Sequence, residues 1–224
     1  MQPPRASHVT AVAAALAAVA GYVDALGYLL LRGVFTSHAT GDTAHIGNAL
    51  ALGDVAEAMR FAWPVFMFVA GLFLSAAITA MAKKRGFHSS FGISLGIEAL
   101  LLLVSPLIRG YVALAAVLAG SMGIQTLTVT TARGLRIYTT YMTGNLSKFA
   151  EGATKYLVSG SRIERDHSVI TGLLWIFFLA GALAGAAAHG AWGRTAAIAP
   201  AAPIALLAAA DFRRPIDPVD ELQG

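Results

Sequence analysis

No cysteine occurs in the 224 residues, which removes disulfide frameworks, thiolate metal sites and cysteine nucleophiles together. Charge is scarce as well: Asp, Glu, Lys and Arg make up 12% of the chain, against about a quarter in a soluble domain. With 57% hydrophobic residues and a positive mean hydropathy, that scarcity marks an integral membrane protein, and the bilayer is its expected surrounding. The net charge of +4 has no basic face interleaved with aromatics behind it, so nucleic acid is not an expected partner. A hydrolytic triad, a phosphate-binding glycine loop and a dinucleotide fingerprint are also absent, and the sequence gives no reason to expect a cofactor.

What is present is a series of apolar segments. Arg5 followed by an alanine-rich run has the look of a signal peptide, but the run continues to residue 31. At about 1.5 Å per residue it reaches across the bilayer core, so it reads as an uncleaved first transmembrane helix. Residues 61–82, 91–108, 111–131, 169–189 and 195–210 supply five more candidates. Short connections leave no room for an extramembrane domain, so residues 1–210 read as one transmembrane domain and 211–224 as a short polar tail. Gly181 with Gly185, and Gly92 with Gly96, are small-xxx-small pairs that serve close helix packing within a protomer or a homo-oligomer face.

Two further stretches, 36–52 and 139–157, are of helix length but polar. The first carries Thr36-Ser37-His38-Ala39-Thr40-Gly41-Asp42-Thr43-Ala44-His45; the second carries Thr139-Thr140-Tyr141-Met142-Thr143-Gly144-Asn145. Thr36, Thr40, Gly41 and Asp42 align without gaps onto Thr139, Thr143, Gly144 and Asn145. An ion at the bilayer centre costs on the order of 2.5–3.5 kcal/mol, so neither stretch is expected to face lipid. If both dip in and return, with six full spans and an internal N-terminus, only Arg32, Arg60, Arg109 and Arg194 of the 16 basic residues lie outside. Eight full spans would divide the charges almost evenly. The charge rule thus favours six transmembrane helices plus two re-entrant or broken motif helices. It also places the halves, about 1–108 and 109–210, as an inverted internal repeat with both termini cytoplasmic.

Two local geometries fit the motif. A continuous helix from Thr36 puts His38, Asp42 and His45 on one stripe. A helix broken at Gly41 and Gly144 makes Asp42 and Asn145 N-caps and aims two helix N-termini at the interior; the recurrence of Thr-Gly in both halves favours this one. Upstream, Gly21-Tyr22-Val23-Asp24 is matched by Gly123-Ile124-Gln125-Thr126, so Asp24 and Gln125 are expected in the wall of the same cavity, unless Asp24 pairs with an arginine to orient its helix. Glu98 is a third acid within an apolar segment. Asp54, Glu57, Glu164 and Asp166 read as loop residues.

The stretches Gly21-Tyr22-Val23-Asp24-Ala25-Leu26-Gly27, His38-Ala39-Thr40-Gly41, Gly123-Ile124-Gln125 and Thr139-Thr140-Tyr141-Met142-Thr143-Gly144-Asn145-Leu146 resemble the YoaK-like family of bacterial inner-membrane proteins. The resemblance implies a six-helix membrane protein of unassigned function. The chain departs from it at Asp42, where the family motif reads Thr-Gly-Asn, and at Thr126, where it reads Gly-x-Gln-Asn.

Three functions fit these residues. The leading one is a transporter or channel for a small polar or ionic solute, its pathway lined by Asp24, His38, Thr40, Asp42, His45, Gln125, Tyr141, Thr143 and Asn145. Another is a membrane-embedded metalloenzyme using His38, Asp42 and His45. In the last, a non-catalytic membrane partner or assembly protein, the motif is purely structural.

Overall fold

The computed structural model describes residues 5–87, 90–128, 131–132, 135–136 and 138–213. Within them the chain forms α1 (Arg5–Leu30), α2 (Ala39–Ala51), α3 (Val55–Lys84), α4 (Ser90–Val104), α5 (Tyr111–Thr126), α6 (Met142–Ser159), α7 (Arg162–Trp192) and α8 (Ala201–Arg213). Single 3-10 segments, Ser105–Leu107 and Gly193–Ile198, follow α4 and α7, and two-residue strands Thr131–Ala132 and Leu135–Arg136 pair antiparallel. Arg133 and Arg214, counted above among the internal charges, lie outside the described residues.

Among the described residues, four stretches are long and apolar enough to cross a membrane: Val9–Leu30, Val55–Lys84, Ser90–Leu107 and Arg162–Arg213, the last comprising α7 and α8 in succession. The span expected over 111–131 is helical only to Thr126, where the chain turns into the short ladder. The one expected over 195–210 is divided, because Pro200 lacks the N–H that a continuous helix would need and α8 starts after it. Glu57 and Glu164 belong to the first turns of α3 and α7 rather than to loops, and Asp166 follows within α7; Asp54 caps α3, accepting the Glu57 N–H at 2.9 Å. Asp211, read as the start of the tail, is the buried end of α8, and its carboxylate accepts the Gly92 N–H at 2.7 Å.

The packing follows a rule that the helix order makes visible. α1 lies along α7, and α5 lies along α3; α2 folds back on α3, and α6 on α7; α4 packs on α8. Exchanging α1 with α5, α2 with α6, α3 with α7 and α4 with α8 leaves these pairings unchanged. The correspondence reaches single atoms. A Cβ on Gly21 would run into the Phe178 carbonyl, and one on Gly123 into the Phe68 carbonyl; one on Gly181 would strike the Ala18 carbonyl, and one on Gly71 that of Gly120. In both halves Phe-x-Ala-Gly supplies the crossing: Phe68-Val69-Ala70-Gly71 on α3 and Phe178-Leu179-Ala180-Gly181 on α7. Small residues let the backbones touch where apolar burial gives helices no net drive to associate, since lipid is equally apolar. Gly185 is used the same way against Tyr22 and Gly92 against α8, whereas nothing approaches Gly96.

Pro64, inside α3, cannot donate to the Arg60 carbonyl one turn earlier. The Tyr111 hydroxyl, at the start of α5, donates to that carbonyl instead at 2.8 Å. The main core runs along α1, α4, α5, α7 and α8, with Leu16, Leu95, Leu102, Leu114, Leu118, Met122, Leu174 and Ile204 fully buried.

Candidate functional site

The turn after α1 carries the chain back on itself. Arg32 and Gly33 take positive φ, at 55° and 92°, and the Gly33 N–H closes onto the Tyr28 carbonyl at 2.8 Å. The returning segment lies so close to α1 that a Cβ on Gly27 would meet the methyl of Thr36. There Asp24 takes hold of it. Asp24 Oδ1 accepts from the Thr36 N–H (2.8 Å), the Thr36 hydroxyl (2.9 Å) and the Ser37 N–H (2.9 Å), and Oδ2 accepts from the Ser37 hydroxyl (3.1 Å). Four donors saturate a carboxylate, so no arginine is needed to hold Asp24.

The second half does the same with neutral groups. Thr126 and Thr140 hydroxyls lie 2.8 Å apart, and because the single Thr126 O–H is given to the Met122 carbonyl, Thr140 is the donor between them. Gln125 Nε2 donates to Thr139 Oγ1 at 3.2 Å and to the Leu16 carbonyl on α1 at 2.8 Å, while its Oε1 is buried without a partner. Thr36 therefore corresponds to Thr139, Ser37 to Thr140 and Asp24 to Thr126.

These anchored turns fix where the motif helices start. α2 begins at Ala39 after His38, and α6 at Met142 after Tyr141; neither N-terminus is capped by a side chain. The expected break at Gly41 and Gly144 is thus a full turn too late, and Asp42 and Asn145 are not caps but first-turn residues. The physical reason is the grip of Asp24 and Thr126, which ends the extended segment before the Thr-Gly pair. Asp42 and Asn145 are exposed by only 2% and 1%; the Asp42 carboxylate sits beside the Phe35 backbone, and Asn145 Nδ2 ties its helix to the preceding turn by donating to the Tyr138 carbonyl at 3.1 Å.

Between the two turns lies a cavity of about 580 Å³, whose fourteen lining residues fall into seven corresponding pairs. Asp24 answers Thr126, Phe35 answers Tyr138, and Ser37 answers Thr140; His38, Ala39 and Thr40 answer Tyr141, Met142 and Thr143; Phe68 answers Phe178. Of the residues expected in the pathway, Asp24, His38, Thr40, Tyr141 and Thr143 line this cavity. Asp42 does not; it lines a tighter recess beside it. Gln125 and Asn145 stand behind the wall as supports. His45 is exposed and stacks on Phe61, with ring centroids 4.6 Å apart. His38, Asp42 and His45 therefore do not gather into a ligand set, and among the described residues no three His, Cys, Asp or Glu side chains do.

Sequence reasoning missed Phe68, Phe178, Phe35, Tyr138 and Met142 as wall residues. For the first two a signal was present, the repeated Phe-x-Ala-Gly. Glu98, fully buried on α4, has neither carboxyl oxygen partnered and lies outside this cavity.

Fold and site together define a helical membrane protein with one cavity shared by two matching halves. The chain belongs to the family described as "Protein of unknown function (DUF1275)", which matches residues 12–210. It is similar to the UPF0700 transmembrane protein YoaK of Bacillus subtilis (strain 168), with 28% identity over 142 residues, 61% of this chain. The match spans 63% of that relative's length. No solved structure matches the chain.

Proposed function

We propose that the chain is a transporter or channel for a small polar or ionic solute, built as an inverted repeat with its site on the axis relating the halves. The observation that carries this reading is the cavity wall, in which every lining residue has its counterpart from the other half. A purely structural motif would need the anchored turns but not a paired cavity. Its volume lies within the roughly 300–1,000 Å³ of small-molecule sites, and its wall mixes rings with the hydroxyls of Ser37, Thr40, Thr126, Thr140 and Thr143. The two uncapped helix N-termini bring free N–H groups toward the same space.

Orientation is read from the crossings. Gly181 meets Ala18 and Gly185 meets Tyr22, so residue numbers rise together along α1 and α7, which run parallel. On this reading α1, α4 and α7 point one way and α3, α5 and α8 the other. α2 and α6, about 20 and 27 Å long, leave the cavity toward opposite faces as half-helices. Six full spans and two re-entrant helices result, with both termini on the cytoplasmic side as the basic residues favour. Rocking one half against the other would present the cavity to each side in turn, as in other inverted-repeat transporters.

Because the chain has no cysteine, single cysteines test this directly. Thr40→Cys and Thr143→Cys, in sealed vesicles, are expected to react with a membrane-impermeant thiol reagent, while Leu179→Cys on the outward face stays protected. Protection of both cavity positions from both sides would reject the pathway.

A further inference from the structure

We propose that Asp42 is a proton-binding group of this cavity, taking up one proton and releasing it as the site turns from one face to the other; this rests on the transporter reading. The first argument compares the halves. Asp42 and Asn145 occupy the same buried place in the first turns of α2 and α6, each beside the residue seven positions back. A neutral side chain fills that place in the second half, so what the carboxyl adds in the first is the ability to gain and lose a proton.

The second argument is geometric. Asp42 Oδ1 is buried and has no hydrogen-bond partner. It lies in a recess lined by Phe35, Thr36, His38, Pro64, Val65 and Phe68, too tight for a solute. A bare carboxylate oxygen enclosed in this way is costly, and a proton on Oδ1 removes the charge without requiring room. Four residues, Phe35, His38, Ala39 and Phe68, line both recess and cavity, so the proton's way to cavity water runs past the His38 ring, which packs on Phe35 at 5.3 Å.

The surroundings favour a proton over a fixed ion pair. From α1 the facing group is Asp24, an acid whose oxygens already accept four hydrogen bonds from the turn and offer no cation to Asp42. From α5 it is Tyr111, from the turn before α2 it is His38, and α3 offers Pro64, Val65 and Phe68. Arg60 on α3 is engaged by Glu57 and by the Arg32 carbonyl. Protonation is a simple balance: a hydronium ion in the cavity gives H⁺ to Oδ1, its own O–H bond breaking to leave water as the new O–H bond forms, and the carboxyl becomes neutral.

The test uses Thr143→Cys, on the half away from Asp42, in proteoliposomes across a pH series. Its labelling rate is divided by that of Ser161→Cys to remove the reagent's own pH dependence. With Asp42 present the corrected rate is expected to change about fivefold or more, the lower end of ordinary coupling between sites; with Asp42→Asn it is expected to be flat. Infrared spectra should show a titrating carboxylic-acid band that Asp42→Asn removes and Glu98→Gln leaves. If Asp42→Asn does not fold, Asp42→Glu should shift that band instead. A pH response that survives in Asp42→Asn, a response to sodium in place of protons, or a band that neither Asp42 variant alters would overturn the proposal. No labelling at position 143 under any condition would instead reject the pathway, with the infrared band still reporting on Asp42 by itself.

Discussion

Asp24 and Thr126 perform one task with different chemistry, and the difference is measurable. Asp24→Asn keeps a single acceptor oxygen where four donors converge, so it should lower unfolding stability by about 2–4 kcal/mol, hydrogen bonds to a charged group being worth about 1.5–3 kcal/mol each. Thr126→Val removes two neutral bonds, one given to the Met122 carbonyl and one accepted from Thr140, and should cost less, about 1–2 kcal/mol. Denaturant titration of the two variants in one detergent checks the ranking; equal losses would mean that the turn is held by something other than these side chains. Tyr111→Phe leaves the Arg60 carbonyl, already deprived of its helical donor by Pro64, without a partner, and should cost about 1–2 kcal/mol in the same assay. At this scale the sequence was informative about identity but not about role. Asp24, His38 and Tyr141 could be picked out as polar residues in apolar surroundings. Whether Asp42 pointed into the cavity or behind it depended on where the helix began, and that was decided by hydrogen bonds from a neighbouring helix.

The long helices were legible because continuous apolar runs have few alternatives, and their crossings rest on a few glycines. Gly21→Leu or Gly181→Leu would drive a side chain into the backbone of the facing helix. Each should cost at least about 1–3 kcal/mol, the usual penalty for overpacking. Gly47→Ala and Gly190→Ala, where nothing lies within 4 Å, should be neutral or stabilising by up to about 1 kcal/mol, as alanine is the better helix former. Melting temperatures of the four variants decide it, and a mild effect at Gly21 would contradict the close crossing. The starts of α2 and α6 were read a full turn late because Thr-Gly is a strong local break signal, and here a tertiary anchor overrides it. The end of α5 was read late for a related reason: Leu127 and Thr128 continue the apolar run although the helix has already turned.

The halves are not neighbours so much as interlocked bodies, since the first helix of each lies along the third helix of the other. Expressed as separate fragments divided in the connection between Ile108 and Gly110, they should be unstable alone and should recover a folded, co-purifying complex only when made together. Recovery of either fragment alone as a folded species would contradict the interlock. The recurrence of Thr-Gly was readable in both motif stretches; the pairing of α1 with α7 and of α3 with α5 was not, because periodicity tells which face of a helix is packed but not what packs on it. The exchange also sets a timetable for biosynthesis. α1 carries a face of small residues cut to fit α7, yet α7 begins at Arg162, more than a hundred residues later. At the usual pace of about 5–20 residues per second, α1 waits in the bilayer for on the order of ten seconds before its partner is made. During that interval its alanine and glycine face is open to any other helix with a similar surface, so the nascent chain is most exposed to wrong pairing, and most open to help from the insertion machinery, before α7 has been completed.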